Sequence, residues 1–130
     1  MNNTSIFQFK KYLVENIDFK IKNISNHQRI KFDFDINKEV EYNNNSMNLL
    51  VIVDVFKNEI NAPFELSLAI RGIFEFSENI EDKEIFEKNA MAILFPYIRN
   101  IITNITSMSG FPPLIIPTLN INKFYENKGD

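Results

Sequence analysis

The chain has 130 residues, a formal net charge of −3 and a pI near 5.2, a length that suits one domain with its own core. It contains no Cys and a single His, His27, which excludes a disulfide framework, a thiolate metal site, a cysteine nucleophile and any histidine triad or multi-histidine centre within one chain. Mild acidity leaves no electrostatic footprint for nucleic acid. The longest apolar run, 90–97, falls well short of the ~20 residues a bilayer span needs. The opening Met-Asn-Asn-Thr-Ser lacks the pattern of a signal peptide, so the expectation is a soluble, cytoplasmic protein without a membrane span. The 19 Asn and 20 Ile are read as the codon supply of an AT-rich genome, and they carry no structural weight below.

Taken in chain order, the first two-thirds alternates as strands do. Phe7 and Phe9, then Ile17, Phe19 and Ile21, keep period two, while 10–15 does not alternate cleanly and predicts a bulge or a short break. A turn is expected at 23–27. Ile30, Phe32, Phe34 and Ile36 alternate with Lys31, Asp33 and Asp35, a second strand with one wet face. Asn43-Asn44-Asn45-Ser46 is a loop signal. The run 47–56 is apolar on both parities at its centre, which predicts a more central strand. Lys57 to Pro63 reads as a turn. Phe64, Leu66, Leu68 and Ile70 alternate again, and Gly72 before Ile73 predicts a bulge with a change of face. Four strands on short links suggest an antiparallel meander.

From Glu81 to Ser109 the period changes to threes and fours: Ile85, Phe86, Ala90, Ile93, Leu94, Tyr97, Ile98, Ile101, Ile102, Ile105 and Met108 form a helical stripe. Glu78, Glu81, Asp82 and Glu84 complement the helix dipole at its start, and Gly110 suits the position just past its end. Pro96 inside predicts a kink or a break into two helices. The segment 111–117, with three prolines, reads as an extended apolar strap, and a short polar tail follows. Strands first and helix second make a single α+β domain over 1–130.

Candidate chemistry is sparse. Asp33 and Asp35 share a strand face, as solvated residues of such a face ordinarily do. His27 and Arg29 stand near a turn. Arg99 is expected to hold a backbone carbonyl freed at Pro96, or an anion. No Walker or dinucleotide fingerprint is present. Nothing pairs an acid with a base or assembles metal ligands, so the chain reads as a non-enzyme without cofactor or metal. The informative feature is apolar surface. The helical stripe is wider than one packing face requires, which predicts self-association or the binding of apolar partners.

The segment Ile93-Leu94-Phe95-Pro96-Tyr97-Ile98-Arg99, followed by Ile101-Ile102, Gly110-Phe111-Pro112, Leu114 and Pro117-Thr118-Leu119-Asn120, resembles the SecB export chaperone family. Arg71-Gly72-Ile73-Phe74 is similar to the end of that family's fourth strand, and Tyr12 with Ile17 and Phe19 to its first. The resemblance implies a four-stranded antiparallel sheet packed against a long Pro-kinked C-terminal helix and an apolar strap. It also implies a homotetramer built as a dimer of dimers, and a holdase that binds unfolded polypeptides or preproteins in apolar grooves without nucleotide or metal. Export relatives hand clients to the SecA motor through acidic residues on the sheet. Relatives in toxin–antitoxin systems serve one client, an antitoxin, and a dedicated chaperone or adaptor of that kind is the alternative. Asn16 and Lys20 stand where the export branch carries first-strand acids, which implies weak SecA docking or none, and Glu59 keeps a third acidic position as a partner-docking acid. Phe32, Phe34, Ile98, Ile101, Ile102 and Ile105 are the candidates for the client groove or the oligomer interface.

Overall fold

The structure, a computed structural model, describes residues 7–22, 33–77 and 82–117. The turn expected at 23–27, His27, Arg29, Ile30 and Phe32, and everything beyond Pro117 lie outside these residues. Four strands, β1 (Phe7–Ile21), β2 (Phe34–Asn43), β3 (Ser46–Val55) and β4 (Phe64–Phe76), precede one helix, α1 (Lys83–Met108). The sheet is antiparallel throughout, in the order β1-β4-β3-β2. The architecture is therefore α+β, with a four-stranded antiparallel sheet and a C-terminal helix.

Two expectations about the sheet change. The strands are not a simple meander: β2, β3 and β4 follow one another through hairpins, whereas β1 crosses over to pair with β4, so β1 and β2 are the two edges. Gly72 causes no change of face either. The β3–β4 register runs unbroken from Ser46↔Glu75 to Val55↔Leu66, and Gly72 sits inside it facing the helix. A Cβ there would lie 3.0 Å from Phe74 Cε1 and 3.1 Å from Leu94 Cδ2, so the missing side chain makes room for Leu94.

The irregularity expected in 10–15 is present in β1, and it occurs twice. Register shifts against β4 fall between Phe9 and Lys11 and between Val14 and Asn16. Each adds one residue to β1 alone, Lys10 and then Glu15. The physical reason is the spacing of the apolar side chains. Directly paired residues share a face, and the pairs Phe9↔Phe74, Tyr12↔Gly72, Val14↔Ile70, Ile17↔Leu68 and Phe19↔Leu66 all lie on the helix side. Steps of three from Phe9 to Tyr12 and from Val14 to Ile17 would turn the strand over. Each bulge absorbs one residue and restores the face.

β3 is central, as its two-sided apolarity predicts, and Met47, Leu49, Val51, Val53 and Val55 are fully buried. From β4, Phe64, Leu66, Leu68, Ile70 and Phe74 join them, and α1 contributes Phe86, Ala90, Met91, Leu94, Phe95, Ile98 and Ile102. The Asp82 side chain caps the helix by accepting from Ile85 N–H at 3.2 Å, and Gly110 follows the helix in the left-handed region at φ 92°. The helix runs through Pro96 as one element. Pro96 and Ala92, four residues before it, are both exposed, while Phe95 is buried in the core, so the hydrogen bond that proline removes lies on the outer side of the helix.

Candidate functional site

β1 supplies one wall of the site. Its helix-side row is apolar from end to end, yet α1 covers only part of it. Phe9 and Tyr12 stack against Tyr97 of the helix, with ring centroids 5.7 and 5.0 Å apart. Farther along, Val14, Ile17 and Ile21 are 43%, 48% and 50% exposed. Above them the helix continues the stripe at spacings of four, four and three, from Tyr97 (41% exposed) through half-buried Ile101 and Ile105 to Met108 (82% exposed). Among the described residues β1 is an edge of the sheet, so its exposed apolar row and the apolar helix flank lie beside backbone groups that no described strand pairs.

The opposite flank of α1 is closed by the strap, 111–117, which runs antiparallel to the helix. Thr103 Oγ1 donates to Leu114 O at 2.8 Å, Leu114 N–H donates to Thr106 Oγ1 at 2.8 Å, and Arg99 Nε donates to Ile116 O at 2.9 Å. Thr106 is fully buried and completes its bonding by donating toward Ile102 O and Thr103 O, at 3.1 and 3.0 Å. Arg99 therefore holds a strap carbonyl and not one released at Pro96. At the end of the helix Phe111 closes the strap against Phe64 and Phe19, with centroids 5.1 and 6.3 Å apart.

The other sheet face is polar at its margins. Lys11, Leu13, Asn16, Asp18 and Lys20 of β1 share it with Arg71 of β4 and with Asp35, Glu39 and Glu41 of β2. Arg71 donates through Nε to Glu15, the residue of the second bulge. That hydrogen bond holds the Glu15 carboxyl below its usual range, against an opposing effect of burial, and pushes the Arg71 guanidinium up. Asn16 and Lys20 flank Asp18 here, so one carboxylate stands between the two positions that lack one. Asp35 pairs across the ladder with Asp54, whose carboxylate lies 3.8 Å from Lys57 Nζ. Glu59 sits in the β3–β4 link, and its carbonyl accepts from Lys22 Nζ at 2.8 Å.

The candidate residues separate by depth. Ile98 and Ile102 are fully buried in the core, Ile101 and Ile105 are half-buried on the open stripe, and Phe34 is half-buried at the start of β2. Sequence reasoning missed Val14, Ile17 and Ile21 as surface, because on an edge strand an apolar side chain aimed toward the core looks the same whether or not the helix reaches it. A polar, open cavity of about 610 Å³ at the β2–β3 hairpin, lined by Gln8, Asn43, Asn44, Asn45, Ser46, Glu75, Phe76 and Ser77, holds one charge, and Lys10 lies 3.8 Å from it. Among the described residues no cluster of three His, Asp or Glu is placed to hold a metal ion. No described helix is long and apolar enough to cross a membrane.

This arrangement has relatives. An uncharacterized protein of Methanocaldococcus jannaschii is 33% identical over 122 residues, spanning 88% of this chain and 79% of that one. The protein-export protein SecB of Anaplasma phagocytophilum is 36% identical over 62 residues, 44% of this chain and 39% of its own length. Among solved structures, the SecB-like chaperone Rv1957 of Mycobacterium tuberculosis, in complex with a ChAD peptide from the HigA1 antitoxin, superposes with a TM-score of 0.73 at 13% identity, over 88% of this chain and 90% of that one. The family profile for the preprotein translocase subunit SecB matches residues 2–130, and the chain belongs to the SecB family.

Proposed function

We propose that the protein is a holdase chaperone that keeps unfolded polypeptides in extended form, working as a homo-oligomer of the dimer-of-dimers kind. Family membership supports a role in chaperoning and protein export. The observation that carries the finer reading is the apolar surface of Val14, Ile17, Ile21, Tyr97 and Met108 beside a strand that is, among the described residues, an edge of the sheet. A second copy would pair along β1. The helix stripe of Ile101 and Ile105, with Phe34 at the start of β2 and the candidate Phe32, would line the path of the client. Apolar area and backbone pairing select for extended chains without reading a sequence, which is what promiscuous holding requires. The family resemblance implies that neither nucleotide nor metal takes part.

The test is suppression of aggregation of several unrelated unfolded proteins at near-stoichiometric ratio, with light scattering for the oligomer. Protection of many clients supports the proposal, and a strict monomer that protects none overturns it. A second reading is a chaperone dedicated to one client. It draws on the peptide complex of the Mycobacterium tuberculosis relative and on Asn16 and Lys20, which weaken an acidic SecA-docking surface. Protection of one partner alone, with no SecA retained in a pull-down, would favour it over general export. Glu59 is the remaining acid proposed to face such a partner.

A further inference from the structure

Leu114 is held as a strand residue is held by a neighbouring strand, through both its N–H and its C=O. Here the partners are two hydroxyls of a helix, Thr106 and Thr103, each at 2.8 Å. Two residues on, Arg99 takes the carbonyl of Ile116. The strap side chains alternate accordingly: Leu114 is half-buried, Ile115 is 69% exposed, and Ile116 is fully buried. The three polar side chains thus form a rail along α1 that grips the backbone of an extended segment and takes its alternate apolar side chains into the core. Nothing in this grip is specific to Leu or Ile, because backbone groups are common to every polypeptide. The prolines at 112, 113 and 117 keep the strap extended without adding donors.

We propose that the rail is a seat for extended polypeptide, occupied in cis by the strap, and that a client displaces the strap from it. This rests on the chaperone reading above. The strap then acts as a built-in competitor. Its tether to α1 gives it an effective concentration of order millimolar, so short or weakly apolar segments lose to it. A long unfolded chain that also engages the helix stripe of Ile101 and Ile105 gains enough to win. The protein would be closed toward folded and short partners by a piece of itself that resembles a client.

The test uses the full chain and a fluorescein-labelled synthetic peptide of residues 110–117, followed by anisotropy. Ile116→Ala loosens the strap and leaves the rail intact, so it should bind the peptide about tenfold more tightly than the unmodified protein. Adding Thr103→Val to that background should remove the gain. Leu114→Ala serves as the second strap variant should Ile116→Ala fail to fold, as judged by circular dichroism. In the unmodified protein, hydrogen exchange at the Leu114 amide should accelerate when reduced and alkylated α-lactalbumin is bound. Equal or weaker peptide binding by the strap variants overturns the proposal, as does an unchanged or slower Leu114 amide in a complex that has formed. A folded protein that binds the peptide but protects no unfolded protein would overturn the chaperone reading and leave the rail standing.

Discussion

Gly72 and Leu94 occupy a volume that will not take one more branched side chain. A methyl group on Gly72 would already press on Phe74 and Leu94, so Gly72→Val should cost about 1–3 kcal/mol in urea unfolding, with part of the loss recovered by Leu94→Ala in the same chain. Ile98 and Ile101 make a sharper pair. Ile98→Ala should lower stability by about 2–5 kcal/mol, because the residue is fully buried. Ile101→Ser, on the half-buried stripe, should cost much less stability and should weaken aggregation suppression more. Glu15 allows a pH test with a definite sign. Its carboxyl is held below the ordinary glutamate value of about 4.3 by the hydrogen bond from Arg71. What the pair adds to the second bulge is therefore present above that value and is lost as pH falls through the depressed one. An NMR titration should find the Glu15 midpoint below its usual position, and Arg71→Gln should return it.

Among the elements, α1 and β1 show how far sequence reasoning reaches. The helix was legible from its spacing, the acidic residues at its start and Gly110, though not the Asp82 cap itself, and β1 was legible to its end residues. At Pro96 the sequence left a kink and a break into two helices as alternatives, and the helix is continuous, with Pro96 and Ala92 both at exposed positions. On that argument Pro96→Ala should raise the melting temperature by several degrees, since one helix bond returns and no core contact is lost. Gly72 misled: a glycine in a strand signals a bulge or a close approach with equal force, and only the position of Leu94 decides. The two bulges of β1 were visible as a failure of alternation. That they keep the apolar row on one face became clear only once β4 fixed the register. The stripe was seen to be too wide, and the split between buried Ile98 and Ile102 and open Ile101 and Ile105 depended on where the sheet ends.

At the scale of the whole molecule the helix meets both edges of the sheet, β1 through Phe7, Phe9 and Tyr12 and β2 through polar side chains, and it leaves the later half of β1 uncovered. Lys38 and Tyr42 of β2 are tied to Glu87 of α1, the tyrosine hydroxyl donating at 2.9 Å and the lysine lying 4.0 Å away. On β1, Val14, Ile17 and Ile21 stand in the open. If β1 is the assembly edge, Ile17→Lys should reduce the mass measured by light scattering while leaving circular dichroism unchanged; an unaltered mass would rule that edge out.

The crossover that puts β1 next to β4 also sets the order in which the chain can be built. β2, β3 and β4 find one another through short hairpins, but Phe7 must wait for Phe76, and loop closure of that length is slow. As synthesis proceeds from the N-terminus, the most apolar edge of the sheet emerges first and its partner much later. During that interval a nascent β1 is itself an unfolded, extended, apolar segment, the class of chain that a finished copy is proposed to hold. On that proposal neighbouring copies would assist each other's maturation, and a first strand that emerges long before its partner would be the one exchanged between copies at high concentration.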